Sequence, residues 1–110
     1  MYKIVRRHEG TLRQIASNKS ANNLINKNIS PAVSLATTKA TDYYEKETTP
    51  YDRIYFVLEG ELELTFGNQN NTLQKGDACF IARDTEYEMR GTFEAAVINQ
   101  PAFGTNPDKS

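Results

Sequence analysis

From Glu61 to Phe66 the chain alternates cleanly. Leu62, Leu64 and Phe66 fall on one face, and Glu61, Glu63 and Thr65 on the other. Successive side chains of a strand point to opposite faces, so this run predicts an antiparallel strand with one side buried. Just upstream, residues 54–58 are apolar at nearly every position, the pattern of a strand packed on both sides. The two runs meet at Glu59-Gly60. Residues 67–71, rich in Gly and Asn, predict a hairpin turn, because both residues accept positive φ. A second turn is expected at Lys75-Gly76-Asp77, followed by a short apolar strand over 78–82. Beyond it Thr85, Tyr87 and Met89 alternate with Glu86, Glu88 and Arg90, which points Tyr87 inward. Gly91-Thr92 predicts a turn, and residues 93–99 the last long strand, ended by Pro101.

The first third reads differently. Residues 33–40 and 42–49 have strand character. Residues 2–5 predict a short strand and 11–15 show weak helical spacing. Residues 17–30 (SNKSANNLINKNIS) are rich in Asn, Ser and Lys, whose side chains compete for backbone hydrogen bonds, so an irregular segment is expected there. Many short strands joined by Gly and Asn turns predict an all-β, single-domain barrel or two-sheet sandwich. The expected organisation is an N-terminal arm over 1–31, the barrel over 32–103 and a flexible tail over 104–110.

Length and charge narrow the function. A chain of 110 residues makes one domain with a core of its own. A net charge of -1 without blocks of like charge argues against a nucleic-acid or membrane-surface partner. One cysteine excludes an intrachain disulfide framework. No apolar run approaches 18 residues, and MYKIVRRHEG has no apolar signal-peptide core. A cytoplasmic location is therefore expected.

The stretch from Tyr43 to Phe103 resembles the cupin family. The family's first motif has two histidines one residue apart, then a glutamate, then an apolar strand ending in glycine. YFVLEGE matches its end, and counting back from Gly60 puts the glutamate position on Arg53 and the histidine positions on Glu47 and Thr49. The second motif is matched by Gly76-Asp77 and ACFI, with Ala82 at its proline, Asp84 at its glycine and Tyr87 at its histidine. A tyrosine-aspartate pair before VLEG and the ending AAVINQPAF look most like the metal-poor cupins of the ethanolamine-utilisation type. The resemblance implies a jelly-roll barrel whose lumen carries Glu47, Thr49, Arg53, Tyr55 and Tyr87, with all four ligand positions changed. No metal and no cofactor are expected. His8 lies outside the motifs and reads as a surface or interface residue, and Cys79 as a small core residue.

Three functions fit this residue set. The first is a barrel binding a small anionic or sugar-like molecule through Glu47, Thr49, Arg53, Tyr55 and Tyr87, with Tyr43, Tyr44 and Tyr51 as further candidate aromatics. The second is a metal-independent isomerase, epimerase or lyase with Glu47 as base and Tyr87 as proton donor. The third is an accessory subunit with a filled lumen. Arg53 is ambiguous at this level. Its fork suits a ligand carboxylate or phosphate, and it equally suits an internal ion pair with Glu47 or Glu45. Exposed sheet edges and the arm predict a homodimer.

Overall fold

The computed structural model describes residues 1–105. Seven strands follow a short 3-10 turn at Arg7–Glu9: β1 Thr11–Ala16, β2 Lys19–Ile25, β3 Ser34–Glu47, β4 Asp52–Phe66, β5 Gln69–Gln74, β6 Ala78–Ile81 and β7 Tyr87–Gln100. All pairings are antiparallel, in the order β1-β2-β3-β7-β4-β5, with β6 also on β4. Among the described residues no helix is long and apolar enough to cross a membrane.

Three long strands, β3, β7 and β4, fold this sheet over on itself. The register of β3 on β7 breaks between Ala40 and Tyr43, and that of β4 on β7 between Val57 and Glu59. Asp42, Gly60 and Gly91 all have positive φ along this line. A Cβ at Gly60 would stand 2.2 Å from the Thr92 carbonyl oxygen, and one at Gly91 would stand 2.4 Å from that of Glu61. Only glycine lets the two backbones come so close. One layer then holds β1, β2, β6 and the adjoining halves of the long strands. The other holds β5 with residues 43–47, 61–66 and 87–91. Side chains meet between them: Val57, Leu62, Leu64, Met89 and Ala95 are fully buried, with Tyr55, Tyr87 and Phe93 beside them. Val57, Leu62, Leu64 and Met89 each contribute roughly 1.5–3 kcal/mol by leaving water.

The all-β barrel is as the sequence predicts, with four local differences. Residues 17–30 are not irregular throughout: Lys19–Ile25 forms β2, laddered to β1 and β3. Backbone pairing on both sides overrides the turn preference of its Asn and Ser residues. Residues 11–15 belong to β1 rather than to a helical turn, and residues 2–5 carry no strand. Gly91-Thr92 is not a turn but lies inside β7, where it serves the fold line. At the C-terminus, Gly104 N donates to the Tyr51 hydroxyl at 2.9 Å, and that hydroxyl donates to the Thr105 carbonyl at 2.9 Å. The flexible tail expected over 104–110 otherwise lies outside the described residues.

Candidate functional site

A cavity of about 640 Å³ opens between the β1-β2 end of the first layer and the inner ends of β3 and β4. Alternation decides what faces it. Arg53 pairs across β7 with Asn99, and Asn99 with Ser34, giving an inward polar row. Tyr55, Val97 and Ala36 make the next row. The bulge at Asp42 changes the parity of β3, so that Tyr43, Glu45 and Glu47 face inward where Ala40, Thr38 and Ala36 did before it.

Arg53 is the hub. It is only 5% exposed. Its Nε donates to Asn99 Oδ1 at 2.7 Å, and its Nη1 to Glu47 Oε1 at 3.0 Å, the Tyr87 hydroxyl at 3.1 Å and the Tyr55 hydroxyl at 3.3 Å. Nη2 donates to no group among the described residues. The Tyr55 and Tyr87 hydroxyls lie 2.7 Å apart, and Tyr87 also donates to Glu47 Oε2 at 3.2 Å. Burial pushes both phenols above the ordinary tyrosine value, against the pull of the Arg53 charge. Burial also opposes the Arg53 charge, but Tyr55, Tyr87 and Glu47 outweigh it and hold the guanidinium above its ordinary value.

A second polar centre lies across the cavity. Lys19 Nζ donates to Glu45 Oε1 at 3.1 Å, and Tyr43 Oη donates to the same oxygen at 2.9 Å. Burial first, then the bond to Glu45, pushes Tyr43 up to about 12. At the mouth, Arg13 stacks 4.6 Å from the Phe103 ring centre, and Lys27 Nζ reaches the Gly104 carbonyl at 3.4 Å.

Of the residues singled out from sequence, Glu47, Arg53 and Tyr55 line the cavity. Tyr87 packs behind Tyr55, edge to face, and touches the cluster through its hydroxyl. Thr49 stands apart: it is buried, donates to the Tyr51 carbonyl at 3.1 Å and is absent from the lining. Glu45 pairs with Lys19 and leaves Glu47 to Arg53. Cys79 packs at the core's edge, half-buried, and His8 is exposed on the 3-10 turn. Sequence reasoning missed Lys19, Asn99 and Arg13. Asn99 had a signal, since it continues the inward alternation of Ala95 and Val97. The others lay in a segment with no strand assigned.

The cupin fold suggests a metal at this place, and the donor set does not fit one. Among the described residues no three His, Cys, Asp or Glu side chains converge. A guanidinium occupies the point where Glu47 and the two phenols meet, and its charge repels a cation.

The comparisons agree with this architecture. KdgF from Halomonas sp. superposes with a TM-score of 0.82 at 14% identity, covering 94% of this chain and 97% of that one. An RmlC-like cupin from Shewanella frigidimarina gives 0.81 at 13%, covering 94% and 95%. EutQ of Clostridium difficile gives 0.73 at 18%, with 79% of this chain spanning 66% of that protein. At these identities the likeness is one of fold. A comparison with curated proteins finds no match. The family described as the mannose-6-phosphate isomerase cupin domain matches residues 40–100. With more than half its length matched, from the β3 fold line to the end of β7, the chain belongs to that family of cupins.

Proposed function

We propose that the barrel binds a small sugar-like molecule carrying an anionic group, without a metal. The charge pattern of the open cavity carries this reading. Four cationic side chains, Arg13, Lys19, Lys27 and Arg53, and two carboxylates, Glu45 and Glu47, line it. The two carboxylates neutralise the two deep cations. A deep ion pair offers a donor and an acceptor side by side, which suits a hydroxyl better than a bare anion. Arg13 and Lys27 make no ion pair among the described residues, so the positive excess sits at the mouth. A polyol with a phosphate or carboxylate at its outer end matches both. The name of the matched family refers to a phosphorylated sugar, in keeping with this class.

Proton abstraction by Glu47 fits less well, because both its oxygens already accept hydrogen bonds and Tyr87 stands behind the cavity wall. A self-filled accessory barrel fits less well with an open volume of this size. Thermal-shift measurement against sugar phosphates, sugar acids and the parent neutral sugars tests the reading. At a hundred times Kd, a true ligand adds about 2.7 kcal/mol of stability. Arg13→Ala should weaken the anionic ligands and leave the neutral ones unchanged. No shift with any member of the panel rejects the proposal.

A second copy of the chain is the proposed partner. On the outer face, Phe80, Ile54, Ile98 and Leu35 form one apolar row across β6, β4, β7 and β3, and Phe80 is 63% exposed. The edge strand β1 carries Leu12 at 80% exposure. Water-exposed apolar rows and unpaired edges favour a two-fold dimer. Light scattering should give twice the 12.4 kDa chain mass. Phe80→Glu should yield monomers if the outer face is used, and Leu12→Glu if the edge is. A wild-type monomer at micromolar concentration refutes the dimer.

A further inference from the structure

We infer that Lys19 is a carbonyl-reactive amine, and that the cavity takes a small anionic aldehyde or ketone whose carbonyl carbon forms an imine with Nζ. This rests on the reading of the cavity as an open binding site and adds a covalent step to it. Lys19 is 8% exposed, while every other described lysine is exposed. It nonetheless lines the cavity. Its ammonium spends one N–H on an oxygen, Glu45 Oε1. Its other neighbours are the Met89 sulfur at 3.8 Å, a weak acceptor, and the face of Tyr43 at 4.7 Å. Neither neighbour is a strong hydrogen-bond acceptor, so Nζ is not tied down on those sides and stays within reach of a carbonyl compound entering the cavity. Glu45 Oε2 accepts no hydrogen bond among the described residues and is free to take a proton.

The step balances with these groups. Glu45 takes one proton from the Lys19 ammonium, and the freed lone pair attacks the carbonyl carbon. The C=O π pair moves to oxygen, which takes a second proton from nitrogen, giving a carbinolamine. Glu45 then returns its proton to that hydroxyl, which leaves as water while the nitrogen lone pair closes the C=N bond. One carbonyl and one ammonium become one protonated imine and one water, with Glu45 restored. The Tyr43 hydroxyl, donating to Glu45 Oε1, holds the carboxylate in place throughout. Arg13 and Lys27 at the mouth select for an anionic group on the carbonyl compound.

Reductive trapping tests this on the full chain. The protein is incubated at neutral pH with pyruvate, glyceraldehyde 3-phosphate or uncharged glyceraldehyde. Cyanoborohydride then fixes any imine, and peptide mass mapping locates it. The expected result is one saturable adduct on Lys19 with an anionic probe, at concentrations that leave Lys39, Lys46 and Lys75 unmodified. Glyceraldehyde should need at least about tenfold more, by the loss of one charge-assisted contact. Lys19→Arg should remove the adduct while keeping the ion pair to Glu45. No adduct on Lys19, or labelling there no greater than on the exposed lysines, overturns the inference, and the map of the unmutated protein decides this even if the variant does not fold. If the anionic probes raise the melting temperature without forming an adduct, the imine falls and the binding site stands. Neither shift nor adduct removes both.

Discussion

Arg53→Met is expected to cost ~3 kcal/mol of folding stability and, by removing the donor of the deep pair, to weaken charged and neutral sugars alike. Met keeps most of the side-chain volume and removes the charge. Glu47 then loses its counterion in a setting where its side chain is 22% exposed, and Asn99, buried on β7, loses the donor to its Oδ1. Breaking a buried pair from one side costs about 3–5 kcal/mol, and the partial exposure of Glu47 places this case at the low end. Glu47→Gln alone should also destabilise, because it leaves the guanidinium inside without a counterion. In the double variant neither charge remains. Its loss should fall to about 1–1.5 kcal/mol, the residue being the orphaned Asn99 and the unmade phenol contacts. Urea unfolding of the four proteins measures this as a double-mutant cycle. Strictly additive losses would show that the pair has no coupling and that Arg53 is held by Asn99 and the tyrosines alone.

The barrel and half of this cluster are legible in the sequence because strand alternation is a local signal. Leu62 and Leu64 opposite Glu61 and Glu63 set the face of β4. Arg53, Tyr55 and Val57 share parity, and Tyr87 stands inward between two glutamates. Which glutamate meets Arg53 is not legible. Glu45 and Glu47 lie on the same face two residues apart, and the choice depends on the Asp42 bulge and on where Lys19 sits. Neither has a local signature. Asp42 adopts φ 44 without being glycine, held by its backbone N–H donating to Thr92 Oγ1 at 3.0 Å, fifty residues away. Lys19 is drawn inward by pairing with Ala40 in a segment whose composition reads as loop. The second polar centre is therefore a product of long-range register, invisible to any window of the chain. The fold line at Gly91 is illegible for the same reason. A glycine at positive φ marks a turn between strands unless a second backbone lies against it, and here that backbone is β4.

Stability should fall steeply above pH 10, with the two buried phenols Tyr55 and Tyr87 contributing about 2.7 kcal/mol per pH unit and the raised Tyr43 adding to the same fall. Tyr55 and Tyr87 are almost fully buried, and burial raises both above the value of about 10 that each regains on unfolding. A group whose folded value is raised stabilises the fold in full below its unfolded value. That stabilisation is lost as pH climbs from there toward the folded value, since the unfolded chain gives up its protons while the folded one keeps them. Each such group contributes about 1.4 kcal/mol per pH unit in this window, and the two together double the slope. Arg53 works against the shift by favouring a phenolate beside it, but desolvation is the larger effect for both residues. Their shared hydrogen bond at 2.7 Å ties the two ionisations together, so the pair rather than either residue sets the onset in the folded state. Denaturant unfolding between pH 8 and pH 11.5 would show it, with the midpoint steady at first and then dropping. Tyr55→Phe should cost about 1 kcal/mol at neutral pH, where it removes hydrogen bonds to Tyr87 and Arg53, yet it should take about 1.4 kcal/mol per pH unit off the alkaline slope. A variant with the same slope as wild type would mean that Tyr55 titrates in the fold as it does in water, with the Arg53 charge offsetting its burial.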